Sequence, residues 1–198
     1  MGIMHHPPRR LAAFFGRLLG RWPAGGGDVS LVTAIKDRSE SLERAFATWT
    51  ALPGIREIVI VDWSSRDSSV IERVARRDRR VRVARVENEA YFNHTRTKNL
   101  GVRLTQGRLV LVTDADIMID PRLRRLFAGT DDRHFFRGWI PGGYGTMLVR
   151  RDAFDAVGGY DERMEGWGGS DDDLYHRLVR HGLAFANIPE GLLFHIDH

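Results

Sequence analysis

Between residues 29 and 113 the chain alternates short, almost wholly apolar runs with amphipathic segments, and this pattern constrains its fold more than any other feature. Val29-Ser30-Leu31-Val32-Thr33-Ala34-Ile35 reads as a buried strand. Ile58-Val59-Ile60-Val61, residues 81–86 and residues 109–113 read as three more. Helical patterns fill the gaps: one from an Asp37/Glu40 capping box to about residue 52, one over 68–77 and one over 95–104. Strands without a polar face belong inside a parallel sheet covered on both sides. The expected class is therefore α/β, with a mostly parallel central sheet flanked by helices. Ligands bind such sheets beyond the carboxyl ends of the strands. The polar clusters Lys36-Asp37-Arg38, Asp62-Trp63-Ser64-Ser65 and Asp114-Ala115-Asp116 fall there.

The remainder divides by texture. Residues 137–144 are rich in Gly and aromatics, 147–149 read as a strand, 152–157 as a short helix, 170–181 as a helix and 192–198 as strand-like. Residues 1–28 combine an apolar stripe (Leu11, Phe14, Phe15, Leu18, Leu19, Trp22) with Arg9, Arg10, Arg17 and Arg21, then a Gly-rich linker. The expected layout is a basic amphipathic segment over 1–28 and one domain over 29–198. A ligand-binding half (29–120) precedes a loop-rich half (121–198). Residues 9–22 are expected to lie as a helix on an anionic membrane surface. A net charge of +4 with 26 interspersed acids gives no argument for nucleic acid. The absence of cysteine excludes a disulfide scaffold, a thiolate zinc site and a cysteine nucleophile. No apolar run reaches the roughly 18–20 residues that cross a bilayer. The expected location is cytoplasmic, at the membrane face.

Three groups carry candidate chemistry. Asp114 and Asp116 flank a small Ala at a strand end, where the two-residue period points both carboxylates the same way. Such a pair repels unless a cation intervenes, and Mg²⁺ or Mn²⁺ with a substrate diphosphate would resolve this. Second, Gly166-Trp167-Gly168-Gly169 precedes Ser170-Asp171-Asp172-Asp173. Ser170 reads as an N-cap, and acids suit a helix's first turn. Neither accounts for the Trp among glycines, which presents a flat face for a sugar ring beside carboxylates. Third, His195 and His198 flank Asp197 and offer imidazoles to a carboxylate metal site.

The chain lacks a Gly-x-x-x-x-Gly-Lys-Ser/Thr loop, a Gly-x-Gly-x-x-Gly turn after its first strand and a Gly-x-Ser-x-Gly elbow. Phosphate must then be held by metal and side chains. Over residues 29–198 the motifs resemble nucleotide-sugar glycosyltransferases of the GT-A (Rossmann-like) fold. Residues 29–38, 59–67 and 92–101 look like the family-2 donor half, and Asp114-Ala115-Asp116 stands at its Asp-x-Asp motif. Residues 158–162 and 166–173 look like a galactosyltransferase-type module whose signature is Gly-Trp-Gly-Gly-Glu-Asp-Asp-Asp, with Ser170 in place of the Glu.

This resemblance implies a metal-dependent inverting hexosyl- or N-acetylhexosaminyltransferase, taking a nucleotide diphosphate sugar (UDP first) to a glycan or lipid-linked acceptor. It implies donor contacts at Thr33, Asp37, Arg38, Asp62, Arg96, Lys98, Asp114 and Ala115. Arg96 or Lys98 would lie near the diphosphate. Mn²⁺ or Mg²⁺ would sit at Asp116 and His195, with Asp114 and His198 as further candidates. Asp171 would be the catalytic base, and Trp167, Gly168, Gly169, Asp172 and Tyr144 would meet the acceptor. Leu192 stands where some galactosyltransferases place a methionine ligand. That departure and Ser170 keep a second reading open: a non-catalytic nucleotide-sugar or glycan binding module, or a degenerate transferase acting as a subunit.

Overall fold

The computed structural model describes Leu18–Leu19, residues 28–166 and residues 168–197. In chain order the elements are β1 (Leu18–Leu19), β2 (Val29–Ile35), α1 (Ser39–Thr50), β3 (Ile55–Trp63), α2 (Ser69–Arg77), β4 (Val81–Val86), α3 (His94–Arg103) and β5 (Leu109–Asp114). There follow β6 (Ile117–Ile119), a 3-10 segment (Pro121–Gly129), β7 (His134–Arg137), β8 (Met147–Arg150), α4 (Arg151–Ala156), α5 (Ser170–Arg180), β9 (Ala184–Asn187) and β10 (Leu193–His195).

One eight-stranded sheet runs β1-β4-β3-β2-β5-β8-β7-β9. Its centre, β4-β3-β2-β5, is parallel, as the unbroken apolar runs predict, while β8 joins β5 antiparallel and carries the sheet into the C-terminal half. Both faces are covered. Leu31, Ile58, Ile60 and Leu111 meet α1 residues such as Leu42, Phe46 and Trp49 on one side, and Val32, Val59, Val61 and Val110 meet Val102 of α3 and Leu174 of α5 on the other.

A second, two-stranded sheet positions the site. β10 pairs antiparallel with β6, placing His195 opposite Ile117, and Ile196 N–H donates to the Asp116 carbonyl at 2.8 Å. Helix α1 holds β6 from beneath. The buried Trp49 indole donates to the Ile117 carbonyl at 2.8 Å, and Thr48 Oγ1 accepts from Ile119 N–H at 3.0 Å. The C-terminal segment is thus fastened to the turn that follows β5.

Three local readings need correction. Leu18–Leu19 form a strand on the β4 edge, not part of a helix, and the rest of residues 9–22 lies outside the described residues. Asp37 does not cap α1: it takes a left-handed φ of 54°, and its carboxylate accepts from Arg66 N–H instead. Ser170 is the first residue of α5 rather than its cap, because its hydroxyl pairs with His94 Nε2 at 3.0 Å. Among the described residues, no helix is long and apolar enough to cross a membrane.

Candidate active site

Beyond the carboxyl ends of β2 and β5 lies a cleft of about 440 Å³, lined by residues that include Lys36, Asp37, Arg38, Phe92, Asp114, Ala115, Asp116, Gly142 and His195. It gathers five of the donor and metal residues expected from sequence, together with His195 from the far end of the chain. Phe92 and Gly142 are not among the expected site residues, although they lie in the marked stretches 92–101 and 137–144. Gly142 has a left-handed φ of 75°, and a Cβ there would come within 2.4 Å of the His195 ring.

Lys36 ties the cleft rim together. Its ammonium donates to the carbonyls of Trp63 (3.1 Å), Ser64 (3.1 Å) and Glu89 (2.8 Å), so its charge is committed to backbone. Asp62 and Thr33 are fully buried. Asp62 pairs with Arg85 and accepts from Ser65 N–H at 2.9 Å. Both are expected to touch the nucleoside; neither is among the residues that line the cleft. Arg96 is exposed on α3 and is not among the residues lining the cleft.

Asp114 and Asp116 do not point the same way, because β5 ends at Asp114 and the chain turns. Asp116 faces His195, with Oδ2 3.8 Å from Nε2, while Asp114 faces Lys98, with Oδ1 3.2 Å from Nζ. Burial and then the Asp114 charge push the Asp116 pKa up, opposed by His195 and Arg38. His195 Nδ1 lies 3.3 Å from Asp197 Oδ1, which turns Nε2 toward Asp116. The Asp197 role escaped sequence reasoning, although the His-x-Asp spacing carries it.

This donor set fits Mn²⁺ or Mg²⁺: a carboxylate whose ionisation is opposed by burial and a neighbouring acid, beside an oriented imidazole. Among the described residues no three such side chains converge. These ions commonly complete their shells with water and substrate phosphate. His198 lies outside the described residues.

The three acids opening α5 take separate partners. Asp173 pairs with Arg177 (2.6 Å), and Asp172 accepts from the Tyr144 hydroxyl (2.8 Å). Asp171 Oδ1 lies 3.7 Å from Lys98 Nζ. Lys98, expected near the diphosphate, is buried, and its ammonium sits between Asp114 and Asp171. Burial opposes its charge, but Asp114 and then Asp171 outweigh that and hold its pKa above the usual lysine value. Burial, and then the same carboxylates, push the Tyr160 hydroxyl pKa up. Gly145 makes this approach possible: a Cβ there would meet Asp114 Oδ2 at 2.8 Å and Lys98 Nζ at 2.9 Å. Gly166, Gly168 and Gly169 all hold left-handed φ values (83°, 95° and 79°), so the loop before α5 depends on glycine. Trp167 lies outside the described residues. Leu192, at the methionine position, packs into the core.

Comparison with known proteins fits this geometry. Residues 30–158 match the model for glycosyl transferase family 2, and residues 134–198 match one described as N-terminal domain of galactosyltransferase. The chain belongs to glycosyl transferase family 2. Human chondroitin sulfate N-acetylgalactosaminyltransferase 2 is 30% identical over 80 residues, 40% of this chain and 14% of that protein. Human chondroitin sulfate synthase 3 is 33% identical over 73 residues, 35% of this chain and 8% of that protein. The matches thus span about a seventh or less of these relatives. Among solved structures, a Pyrobaculum calidifontis mannosyltransferase in complex with GDP-Man and Mn²⁺ aligns with a TM-score of 0.70 at 15% identity, covering 82% of this chain and 55% of that one. The catalytic domain of Drosophila β1,4-galactosyltransferase 7, with xylobiose, aligns at 0.65 and 18%, covering 87% and 71%. The fold is that of the GT-A glycosyltransferases.

Proposed function

We propose that the chain is a metal-dependent, inverting glycosyltransferase that moves a hexosyl or N-acetylhexosaminyl group from a nucleotide diphosphate sugar, UDP-linked first, to a hydroxyl of a glycan or lipid-linked acceptor. The observation that carries this reading is the Lys98 bridge, which holds a cleft carboxylate (Asp114) and the candidate base (Asp171) on one ammonium. Asp116 and His195 would hold the divalent cation, which as a Lewis acid supplies stabilisation of the leaving diphosphate. Asp37 and Arg38, which line the cleft, would meet the nucleotide. The acceptor oxygen forms a bond to the anomeric carbon as the bond from that carbon to the diphosphate oxygen breaks. The released electron pair leaves with the diphosphate, and the acceptor proton passes to Asp171. A single displacement with the base opposite the leaving group inverts the anomeric centre.

Nucleotide release from UDP-sugars, compared between wild type and Asp171→Asn, tests the assignment. The variant should lose on the order of 10²–10⁴-fold in turnover while binding UDP as the wild type does. Unchanged turnover, or lost UDP affinity, would contradict the base role. A wild type that binds nucleotide and sugar without turnover would instead establish the binding-module reading.

A further inference from the structure

At the sheet edge, beside α5, an arginine is framed by aromatic rings. The Arg137 guanidinium sits 4.0 Å from the Phe185 ring centroid, 4.8 Å from that of Trp139, 5.6 Å from Tyr175 and 5.8 Å from Tyr144. The topology brings this group to the reacting end of the molecule. β7 runs antiparallel to β8, which runs antiparallel to β5, so Arg137 at the end of β7 lies at the same end of the sheet as Asp114 at the end of β5. Contacts connect it to the first turn of α5. Arg137 Nη1 lies 3.4 Å from the Tyr144 hydroxyl, which donates to Asp172, the neighbour of Asp171.

The charge on Arg137 is not neutralised within the described protein. Its Nε donates to the amide oxygen of Asn187 at 3.2 Å, and Nη2 has no partner among the described residues. Arg103, Arg163 and Arg177 each meet a carboxylate, whereas no carboxylate among the described residues lies within ion-pair distance of Arg137. Aromatic faces favour a cation but leave the N–H edge of the guanidinium free for an oxyanion. Trp139 completes the surface: tilted 50° to Tyr144 at 5.3 Å and 55% exposed, it leaves more than half of its surface open beside the guanidinium.

From this we infer that Arg137 and Trp139 form an acceptor subsite for an acidic sugar, a pyranose carrying a carboxylate or sulfate ester, which stacks on Trp139 while its anion meets Arg137. The inference rests on the transferase reading above and names the substrate class that the site selects. Arg137 is a specificity residue and takes no part in proton transfer.

The test uses the full chain with UDP and Mn²⁺ present, titrated calorimetrically with uronate-containing disaccharides of several linkages, their sulfated analogues and their neutral counterparts. A charge-assisted pair should favour at least one acidic series by about tenfold over the neutral one, and which series is favoured distinguishes carboxylate from sulfate. Arg137→Gln should level acidic and neutral ligands, Arg137→Lys should keep part of the preference, and Trp139→Ala should weaken all ligands while leaving their ratio. Equal binding of acidic and neutral disaccharides by the wild type, or a preference that survives in Arg137→Gln, overturns the inference. Stabilisation by UDP is read on the same samples. If it is present while the acidic preference is absent, only the subsite fails; if neither UDP nor any other nucleotide stabilises the chain, the transferase reading itself fails.

Discussion

The central sheet carries a buried charge cluster at each end, and the two are built differently. At the amino end of the parallel strands, Glu57 is saturated. Oε1 accepts from Ser30 Oγ (2.6 Å) and Gln106 N–H (2.5 Å), and Oε2 meets Arg82 (2.6 Å), with both charged side chains 2% exposed or less. At the carboxyl end, one ammonium, Lys98, serves two carboxylates, with Asp116 and its raised pKa close by. The first cluster is closed and balanced. The second is short of positive charge and opens on a cleft. A balanced buried pair is a structural element, whereas a cluster with excess negative charge facing solvent is prepared for a cation or a proton.

Removing one partner at the closed end should have the largest effect on stability. Glu57→Ala leaves Arg82 buried without its carboxylate and should cost about 3–5 kcal/mol in urea unfolding, with nucleotide stabilisation of the folded remainder unchanged. If that variant also lost nucleotide binding, the two ends would not be separable. Gly145→Ala tests the open end. Its methyl enters the space between Asp114 and Lys98, so about 1–3 kcal/mol of stability should go, and turnover should fall by more than that loss explains. Full turnover in Gly145→Ala would mean that the close approach is irrelevant to chemistry.

The smallest effect concerns His94, which bonds Ser170 at the start of α5. Burial and then the Lys98 charge push its pKa below 6.5, while Asp171 and Asp114 oppose that. A histidine that is harder to protonate when folded stabilises the fold above its unfolded pKa, and this contribution is lost as pH falls from there through the lower folded value. Unfolding midpoints measured from pH 7.5 to 5 should therefore decline less in His94→Asn than in the wild type. Parallel profiles would remove His94 from the coupling.

The parallel half was legible because each of its strands is buried on both faces and so reads as an apolar run; β2 has the bounds its pattern predicts. β7 and β9 were not. They are four residues each, β9 is exposed along its length, and Ala-Phe-Ala-Asn carries no pattern of burial. Within the site, Asp116, His195 and Asp171 could be singled out because carboxylate and imidazole chemistry is local to the side chain. The position of Lys98 could not, since it arises from α3, β5 and α5 meeting around Gly145. Asp37 and Ser170 misled for the same reason: partners distant in sequence, Arg66 and His94, outcompeted the local caps. The aromatic frame of Arg137 was likewise invisible, because Phe185 and Trp139 reach it from separate segments.

The open cluster should hold a nucleotide through a divalent cation. Thermal unfolding with UDP, with Mn²⁺ and with both tests this directly. At about 100 times its dissociation constant, a nucleotide adds roughly 2.7 kcal/mol, a midpoint rise of about 5–10 °C for a domain of this size. The rise should need both components and vanish in Asp116→Ala. A midpoint that no nucleotide moves, with UDP, GDP and the others each tried alongside Mn²⁺, would contradict it.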